Sequence, residues 1–405
     1  MRILHTSDWH LGRSFHREGM LGHQAAYVDH LLSVVEQERV DVVLVSGDVY
    51  DRALPQVDAV RLASEALARL AASRAQVVLT SGNHDSAHRL GFGSELIDAA
   101  GVFIRTDLAG VGRPVVLEDE HGPVAVYGLP YLDPDTVKEA WQLPTRSHQA
   151  ALTEAMARVG ADHERRGGRA VVMAHAFVTG AEATDSERDI SVGGVSMVPA
   201  SLFSSMSYAA LGHLHGRQTI TETVRYSGSP LAYSFSEAQQ VKGSWLVDLD
   251  ASGVASVEFV EAPVPRRLSR LRGELEVLLT DPALARHEDD WVQVTLTDAV
   301  RPAQAMDRLR RRFPHTLVLS FESTAPVLGG LVAKRDHVRR DRELVREFVT
   351  ELRGSEPTAA ELELLGRAVD ACCEDPDVDT LDTAASGTPA GDRVIGAEEW
   401  AEVLF

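Results

Sequence analysis

The sequence predicts a mixed α/β fold: a pair of sheets flanked by helices, then a smaller α/β unit and a pair of helices. Three observations predict it. Short apolar runs of buried-strand character alternate with helical periodicity through residues 1–262. Polar clusters stand directly behind five of those runs, where ligands collect in open α/β sheets. Pro263 and Pro265 then interrupt the pattern, and a second, shorter alternation begins.

Taken in order, strands are predicted at Arg2 to Thr6, Asp41 to Ser46, Gln76 to Thr80, Ala170 to Ala174 and Tyr208 to Leu211. Further strand-like runs lie at Val124 to Leu129, Ser244 to Asp248 and Val254 to Val260. Helices are predicted over Gln24 to Gln37 and over Asp58 to Ala72, where Ala59, Leu62, Ala66, Leu67 and Leu70 recur at helical spacing. Beyond Pro265 the reading is helix at Leu268 to Leu279, strand at Trp291 to Thr297, helix at Pro302 to Phe313 and strand at Thr316 to Phe321. Residues 337–373 read as two helices broken at Gly354-Ser355-Glu356-Pro357. Val345, Phe348, Val349 and Leu352 stripe the first helix, and Leu362, Leu365 and Val369 the second. Thr358 and Glu361 form a capping box for the second helix. The last residues, rich in Asp, Thr, Ala, Gly and Pro, read as disordered, with Trp400, Val403, Leu404 and Phe405 as a short docking motif.

Composition narrows the class. A chain of 405 residues with 44% apolar content can build two to three cored domains. No apolar run reaches the roughly 18 residues of a membrane span, and Met1 to Thr6 lacks the apolar stretch of a signal peptide. The two cysteines, Cys372 and Cys373, are adjacent, which fits a reducing cytosol better than a disulfide framework. A cytoplasmic protein is the reading. The formal charge of −20 opposes tight binding to free duplex. The imbalance is partly local, because Glu374 to Phe405 carries nine acidic residues against one basic. Basic residues gather at Arg266 to Arg272, Arg308 to Arg312 and Lys334 to Arg342, surfaces for DNA or a partner, or more plainly solvated helix faces.

The five clusters carry the chemistry: Asp8-Trp9-His10, Gly47-Asp48, Gly82-Asn83-His84-Asp85, His175 and Gly212-His213-Leu214-His215. Singly, each has a bland explanation as a turn or a satisfied histidine. Together they form a donor set for two divalent ions, whose mutual repulsion a shared carboxylate reduces. Asp48 is the natural bridge. Mixed carboxylate, imidazole and amide donors suit Mn²⁺, Fe²⁺ or Zn²⁺, and manganese is the first choice.

The ordered motifs D-x-H, GD-x-x-D, GNHD, H and GH-x-H resemble those of the calcineurin-like metallophosphoesterases. More narrowly, Thr6 to Gly12, Ser46 to Asp51, Ser81 to Ser86, Tyr226 to Leu231 and Tyr233 to Glu237 are similar to the SbcD-type nucleases of that superfamily. The resemblance implies a four-layer α/β/β/α sandwich with a smaller α/β cap domain and a C-terminal helix pair. It also implies that one ion takes Asp8, His10, Asp48 and His215, and the other Asp48, Asn83, His175 and His213. His84 then faces the scissile phosphate, Asp85 orients His84 through its far ring nitrogen, and Asp51 stands near the substrate.

Under that resemblance the chain divides into a nuclease domain at 1–262, a cap at 263–330, a helix pair at 331–373 and an acidic tail at 374–405. The implied activity is two-metal hydrolysis of DNA phosphodiesters at double-strand ends and hairpins, as exonuclease and endonuclease. The implied partners are DNA, an SbcC-like ATPase of the SMC type bound through the helix pair, and a second copy in a heterotetramer, with Gln24 to Gln37 as a candidate dimer surface. The alternatives are a small-molecule phosphodiesterase or phosphoprotein phosphatase of the same fold, and a catalytically silent scaffold.

Overall fold

The computed structural model describes residues 1–190, 197–322 and 341–373. They fall into two compact units, one of Met1–Thr297 with Ala303–Glu322, the other of Asp298–Pro302 with the chain from Ser323 onward.

The first unit is built on two six-stranded mixed sheets. In the first the order is Val254–Glu261, Gly243–Leu249, Arg2–Thr6, Val42–Ser46, Gln76–Thr80, Val102–Arg105, the last four parallel. In the second the order is Gln218–Thr219, Val224–Tyr226, Tyr208–Gly212, Arg169–His175, Gly122–Gly128, Val115–Asp119, the middle four parallel. Strands buried on both faces need apolar residues at every position, which is why the central ones read as unbroken runs.

Period-two alternation divides those runs between two cores. Ile3, Val42, Leu44 and Val78 meet Val124, Val126, Val171 and Met173 between the sheets. Leu4, Val43, Val45 and Val77 point the other way, into a core shared with Val28 and Leu31 of the helix Leu21–Gln37 and Ala63 and Ala66 of the helix Val57–Ala71. Behind the second sheet, Tyr127, Val172 and Leu211 share a core with Leu152, Ala155 and Val159 of the helix His148–Arg166. The result is four layers: helix, sheet, sheet, helix. Polar pins cross the central core: the rings of His5 and Tyr208 meet at Nδ1 and hydroxyl, 2.9 Å apart, and Ser46 Oγ donates to the Ala210 carbonyl at 2.9 Å.

The strands predicted in residues 1–262 are present within two residues of their expected ends. The strands Val102–Arg105 and Val115–Asp119 and the helix His148–Arg166 were not expected. The first is only four residues long. The helix faces its core with small residues such as Ala151 and Ala155, so its apolar periodicity is faint beside Glu154, Arg158, Asp162 and Arg165.

A third, three-stranded parallel sheet follows: Leu268–Gly273, Trp291–Leu296, Thr316–Phe321. Here the sequence expectation needs correction. Residues 268–273 form a strand and the helix is confined to Leu275–Thr280. The repeated arginines imitate a helical face, but full pairing of Leu268 through Gly273 with Trp291–Leu296 supplies a ladder that local propensity does not anticipate. The next helix spans Ala305–Arg312 and starts at Gln304 in a left-handed conformation, not at Pro302. Leu271, Leu278, Val292, Val294, Leu309 and Phe313 share the core of this sheet. Trp291 joins it to the larger fold by packing on Phe15, with ring centroids 5.3 Å apart.

In the second unit, helices Asp341–Arg353 and Ala359–Cys373 pack on each other. The capping box is formed: Thr358 N–H donates to Glu361 at 2.7 Å and Glu361 N–H to Thr358 Oγ1 at 3.4 Å. Phe348, Leu352 and Leu364 remain exposed. The cluster at Lys334 to Arg342 lies largely outside the described residues, and the tail from 374 lies wholly outside them. Among the described residues no helix is long and apolar enough to cross a membrane.

Candidate metal centre

Every predicted ligand sits at or just past the C-terminal end of a parallel strand. Asp8 and His10 follow Arg2–Thr6, Asp48 follows Val42–Ser46, and Asn83 and His84 follow Gln76–Thr80 in the first sheet. His175 ends its strand in the second sheet, and His213 and His215 follow Tyr208–Gly212. Because the facing sheets end together, residues more than 200 positions apart meet: the Nε2 atoms of His10 and His215 are 3.0 Å apart. The loops are forced into this arrangement. Asp8, His10, Asp48 and His213 adopt positive φ of 54°, 45°, 50° and 104°, conformations that persist only where the surroundings over-determine them. Gly47, with φ of +85°, has room for no side chain, since a Cβ would lie 2.5 Å from His175 Nδ1.

Three groups of side chains are placed to hold a cation: Asp8, His10 and His215; Asp8, Asp48 and His175; and His10, Asp48 and His84. Asp48 Oδ2 stands 3.6 Å from His10 Nε2 and 3.5 Å from His175 Nε2, between the two clusters. Asn83 Oδ1 lies 2.9 Å from His175 Nε2 and 3.2 Å from His213 Nδ1. Separations near 3 Å are those of donors about 2.1 Å from one cation at roughly right angles. His175 Nδ1 donates to the Ser46 carbonyl at 3.0 Å, so its Nε2 lone pair faces Asn83 and Asp48. The donor chemistry and the buried, unpartnered Nδ2 of Asn83 fit a metal site better than a hydrogen-bonded core.

Electrostatics agree. Burial pushes the imidazoles of His10 and His213 well below their usual range, so both are neutral donors at pH 7. Burial also raises the Asp8 carboxyl, to about 6, despite the nearby imidazoles of His175 and His215. Burial opposes ionisation of Asp48 too, yet His175 and the other imidazoles hold that carboxyl well below the usual carboxylate range. His175 is the converse case, burial being outweighed by Asp48, which lifts it to about 9. A cation in contact with both competes with that proton.

His84 occupies the rim. Its backbone N–H donates to Asp48 Oδ1 at 2.8 Å, and its Nδ1 donates to the Asp51 carbonyl at 2.7 Å, leaving Nε2 directed at the site, 3.9 Å from Asp48 Oδ2. The expected role of Asp85 is therefore corrected. Its carboxylate does not touch the His84 ring. It accepts the backbone N–H groups of Gly82 at 2.9 Å, Tyr50 at 2.9 Å and Val49 at 3.1 Å, lacing the 48–51 and 82–85 loops together. Asp51 orients His84 through its main chain, while its carboxylate lies 3.8 Å from both Arg13 Nε and His10 Nδ1.

Several functional residues escape a sequence reading. Gln24 donates to the His10 carbonyl at 2.8 Å and to Tyr233 at 3.0 Å, and Arg188 donates to the Asn83 carbonyl at 3.4 Å beside His84. Ser186, Glu187, Glu237 and Lys242 surround His215. The only sequence signal is the Tyr233 to Glu237 stretch, a glutamate among apolar and hydroxyl residues that by itself announces no role. His88 and Arg89 are exposed, with Arg89 donating to the Ala53 carbonyl at 3.2 Å. Part of the predicted basic surface is engaged internally: Arg312 donates to the Leu278 and Asp281 carbonyls at 3.0 and 2.7 Å and pairs with Glu288.

Comparison with known proteins matches residues 1–217 to the calcineurin-like phosphoesterase family. Residues 264–351 match SbcD_C, the Type 5 capsule protein repressor C-terminal domain. Among solved structures, a dimetal phosphatase from Danio rerio is similar at 15% identity, covering 65% of this chain and 99% of that one with a TM-score of 0.39. The protein TT1561 of Thermus thermophilus is similar at 14% identity, covering 64% and 98% with a TM-score of 0.37.

Proposed function

The chain belongs to the calcineurin-like phosphoesterase family and, with its SbcD_C domain, to the SbcD type, and from that premise we propose that it is the metal-dependent nuclease subunit of an SbcCD-like complex. The family hydrolyses phosphoester bonds at a dimetal centre. The finer reading is cleavage of DNA at double-strand ends and hairpins, in the cytoplasm, with Mn²⁺ as the metal. One observation carries the reading: Asp48 Oδ2 lies between two donor clusters, with the His84 Nε2 directed at it from the rim.

On this proposal Asp8, His10, Asp48 and His215 hold one ion, and Asp48, Asn83, His175 and His213 the other. Bound there, the ions would supply Lewis acidity to a phosphodiester oxygen and to the attacking water. The chain's own contribution is positioning and charge. His84, whose Nδ1–H is held by the Asp51 carbonyl, turns Nε2 toward the phosphate and, once that nitrogen is also protonated, donates to the developing oxyanion or leaving oxygen. Arg188, exposed beside the Asn83 loop, offers a guanidinium to a neighbouring phosphate.

The helix pair supports an SbcC-like ATPase partner, because Phe348, Leu352 and Leu364 are apolar and exposed on it. A homodimer is supported at a different surface from the one expected. The helix Leu21–Gln37 turns its apolar side into the core, whereas Leu54, Val57, Phe92 and Leu96 are 66–87% exposed. The test is incubation of the chain in Mn²⁺, with and without an SbcC-type ATPase, on blunt duplex and hairpin DNA. Cleavage that strengthens with the ATPase is the expected result, with the strengthening, but not metal-dependent hydrolysis itself, lost when helices 341–373 are deleted. Hydrolysis of nitrophenyl phosphodiesters with no cut in DNA under either condition would favour the small-molecule phosphodiesterase.

A further inference from the structure

Of the proposed ligands, His215 is held by the most elaborate set of side chains. Ser186 Oγ lies 2.6 Å from its Nδ1, and Ser186 in turn lies 2.6 Å from Glu237 Oε1. Glu237 pairs with the Lys242 ammonium, which closes the ring by donating to the His215 carbonyl at 2.7 Å. Lys242 also donates to Ser229 Oγ at 3.1 Å and Gln240 Oε1 at 2.8 Å. Glu187, next to Ser186 in the same loop, accepts the His215 backbone N–H at 2.7 Å. All of these side chains but Glu187 and Gln240 are buried.

The direction of every proton in this chain follows from donor and acceptor inventory. Burial alone would raise the Glu237 carboxyl, but the Lys242 ammonium outweighs it and holds the group well below the usual carboxylate range. Glu237 is therefore ionised and can only accept. Ser186, with one hydroxyl proton, must donate it to Glu237 and present a lone pair to His215. Nδ1 of His215 must then carry the ring proton, and Nε2 is bare. That bare nitrogen is the one 3.0 Å from His10 Nε2.

We infer that Ser186, Glu237 and Lys242 are positioning residues that fix His215 in its Nδ1–H tautomer and so set the cation affinity of the cluster of Asp8, His10 and His215. The inference rests on the metal reading above. It gives the 184–187 loop and the 233–242 segment a role neither sequence motif announces, since neither reaches the cation or the phosphate.

The test uses the full chain stripped with chelator. Long-range ¹H–¹⁵N spectra of ¹⁵N-histidine protein, with His215 assigned by loss of its signal in His215→Asn, are expected to place its proton on Nδ1. Mn²⁺ titration of wild type should show two ions. Ser186→Ala should keep one at wild-type affinity and bind the other roughly 10–100-fold more weakly, as loss of such outer partners does elsewhere, with Ser186→Thr restoring it. Glu237→Leu combined with Lys242→Met, which removes the acceptor without leaving an unpaired buried charge, should repeat the Ser186→Ala result. A proton on Nε2 in wild type, or two ions bound by Ser186→Ala as tightly as by wild type, overturns the inference while the metal reading stands. Failure of wild type to bind any ion overturns both.

Discussion

Gly82→Ala adds one methyl group at the point where the two halves of the site touch. A Cβ there would lie 2.7 Å from Asp48 Cγ and closer still to Asp48 Oδ1 and the Asp48 backbone nitrogen. Carbon atoms sit comfortably at about 3.5–4.0 Å, so the carboxylate must retreat by roughly 1 Å. Its bond to the His84 N–H, now 2.8 Å, stretches with it, and so does the 2.9 Å bond that Gly82 N–H makes to Asp85. Because the proposed bridge serves both ions, both should weaken together. A shift of about 1 Å in a positioning group costs on the order of 10² in rate, and overpacking costs about 1–3 kcal/mol in stability. The assay is Mn²⁺ titration and hydrolysis of bis(p-nitrophenyl) phosphate beside a thermal melt. Gly160→Ala is the control: it lies in the helix His148–Arg166 with open space around the new methyl, and should stabilise by up to about 1 kcal/mol with turnover unchanged. Two ions bound at wild-type affinity and a wild-type rate in Gly82→Ala would refute the placement of Asp48 at the centre of the site.

Three further outcomes follow from the same geometry. His84→Ala should keep metal uptake and lose about 10²–10⁴ in kcat, the range of a positioned acid or base; unchanged phosphodiester turnover would remove His84 from the chemistry. Asp85→Asn replaces one of the two carboxyl oxygens that accept from three backbone N–H groups with an amide donor and should cost about 1–3 kcal/mol in urea unfolding. An unaltered melt with a displaced pH profile of kcat would instead restore Asp85 as the tuner of His84. The Arg169 guanidinium, 2.5 Å from Asp119, holds that carboxyl well below the usual carboxylate range. A carboxyl depressed in the folded state stabilises above its unfolded value near 4 and loses that contribution as pH falls through the lower folded value. Asp119→Asn should therefore lower the melting temperature at pH 7 and narrow the gap to wild type toward pH 2; an equal deficit at both pH values would refute the ion pair as its source.

The strands that end at the proposed ligands, and the order of those residues, were legible in the sequence alone for a physical reason. A parallel strand buried on both faces must be apolar throughout, so a polar cluster immediately behind Val45 or Leu79 announces a sheet edge. The capping box at Thr358 was legible as well, because that device is local. The expectation failed where the deciding contact is remote. Leu268–Gly273 is a strand because Trp291–Leu296 lies beside it, and no local signal outweighs the helical look of its arginines. Adjacency in sequence points Asp85 at His84, whereas the folded loops turn its carboxylate to the N–H groups of residues 49 and 50, about thirty-five positions earlier. The arrangement around His215 is illegible in sequence for the same reason. Ser186, Glu237 and Lys242 are ordinary surface residue types, and only burial in the fold makes each answerable to the others' hydrogen-bonding needs.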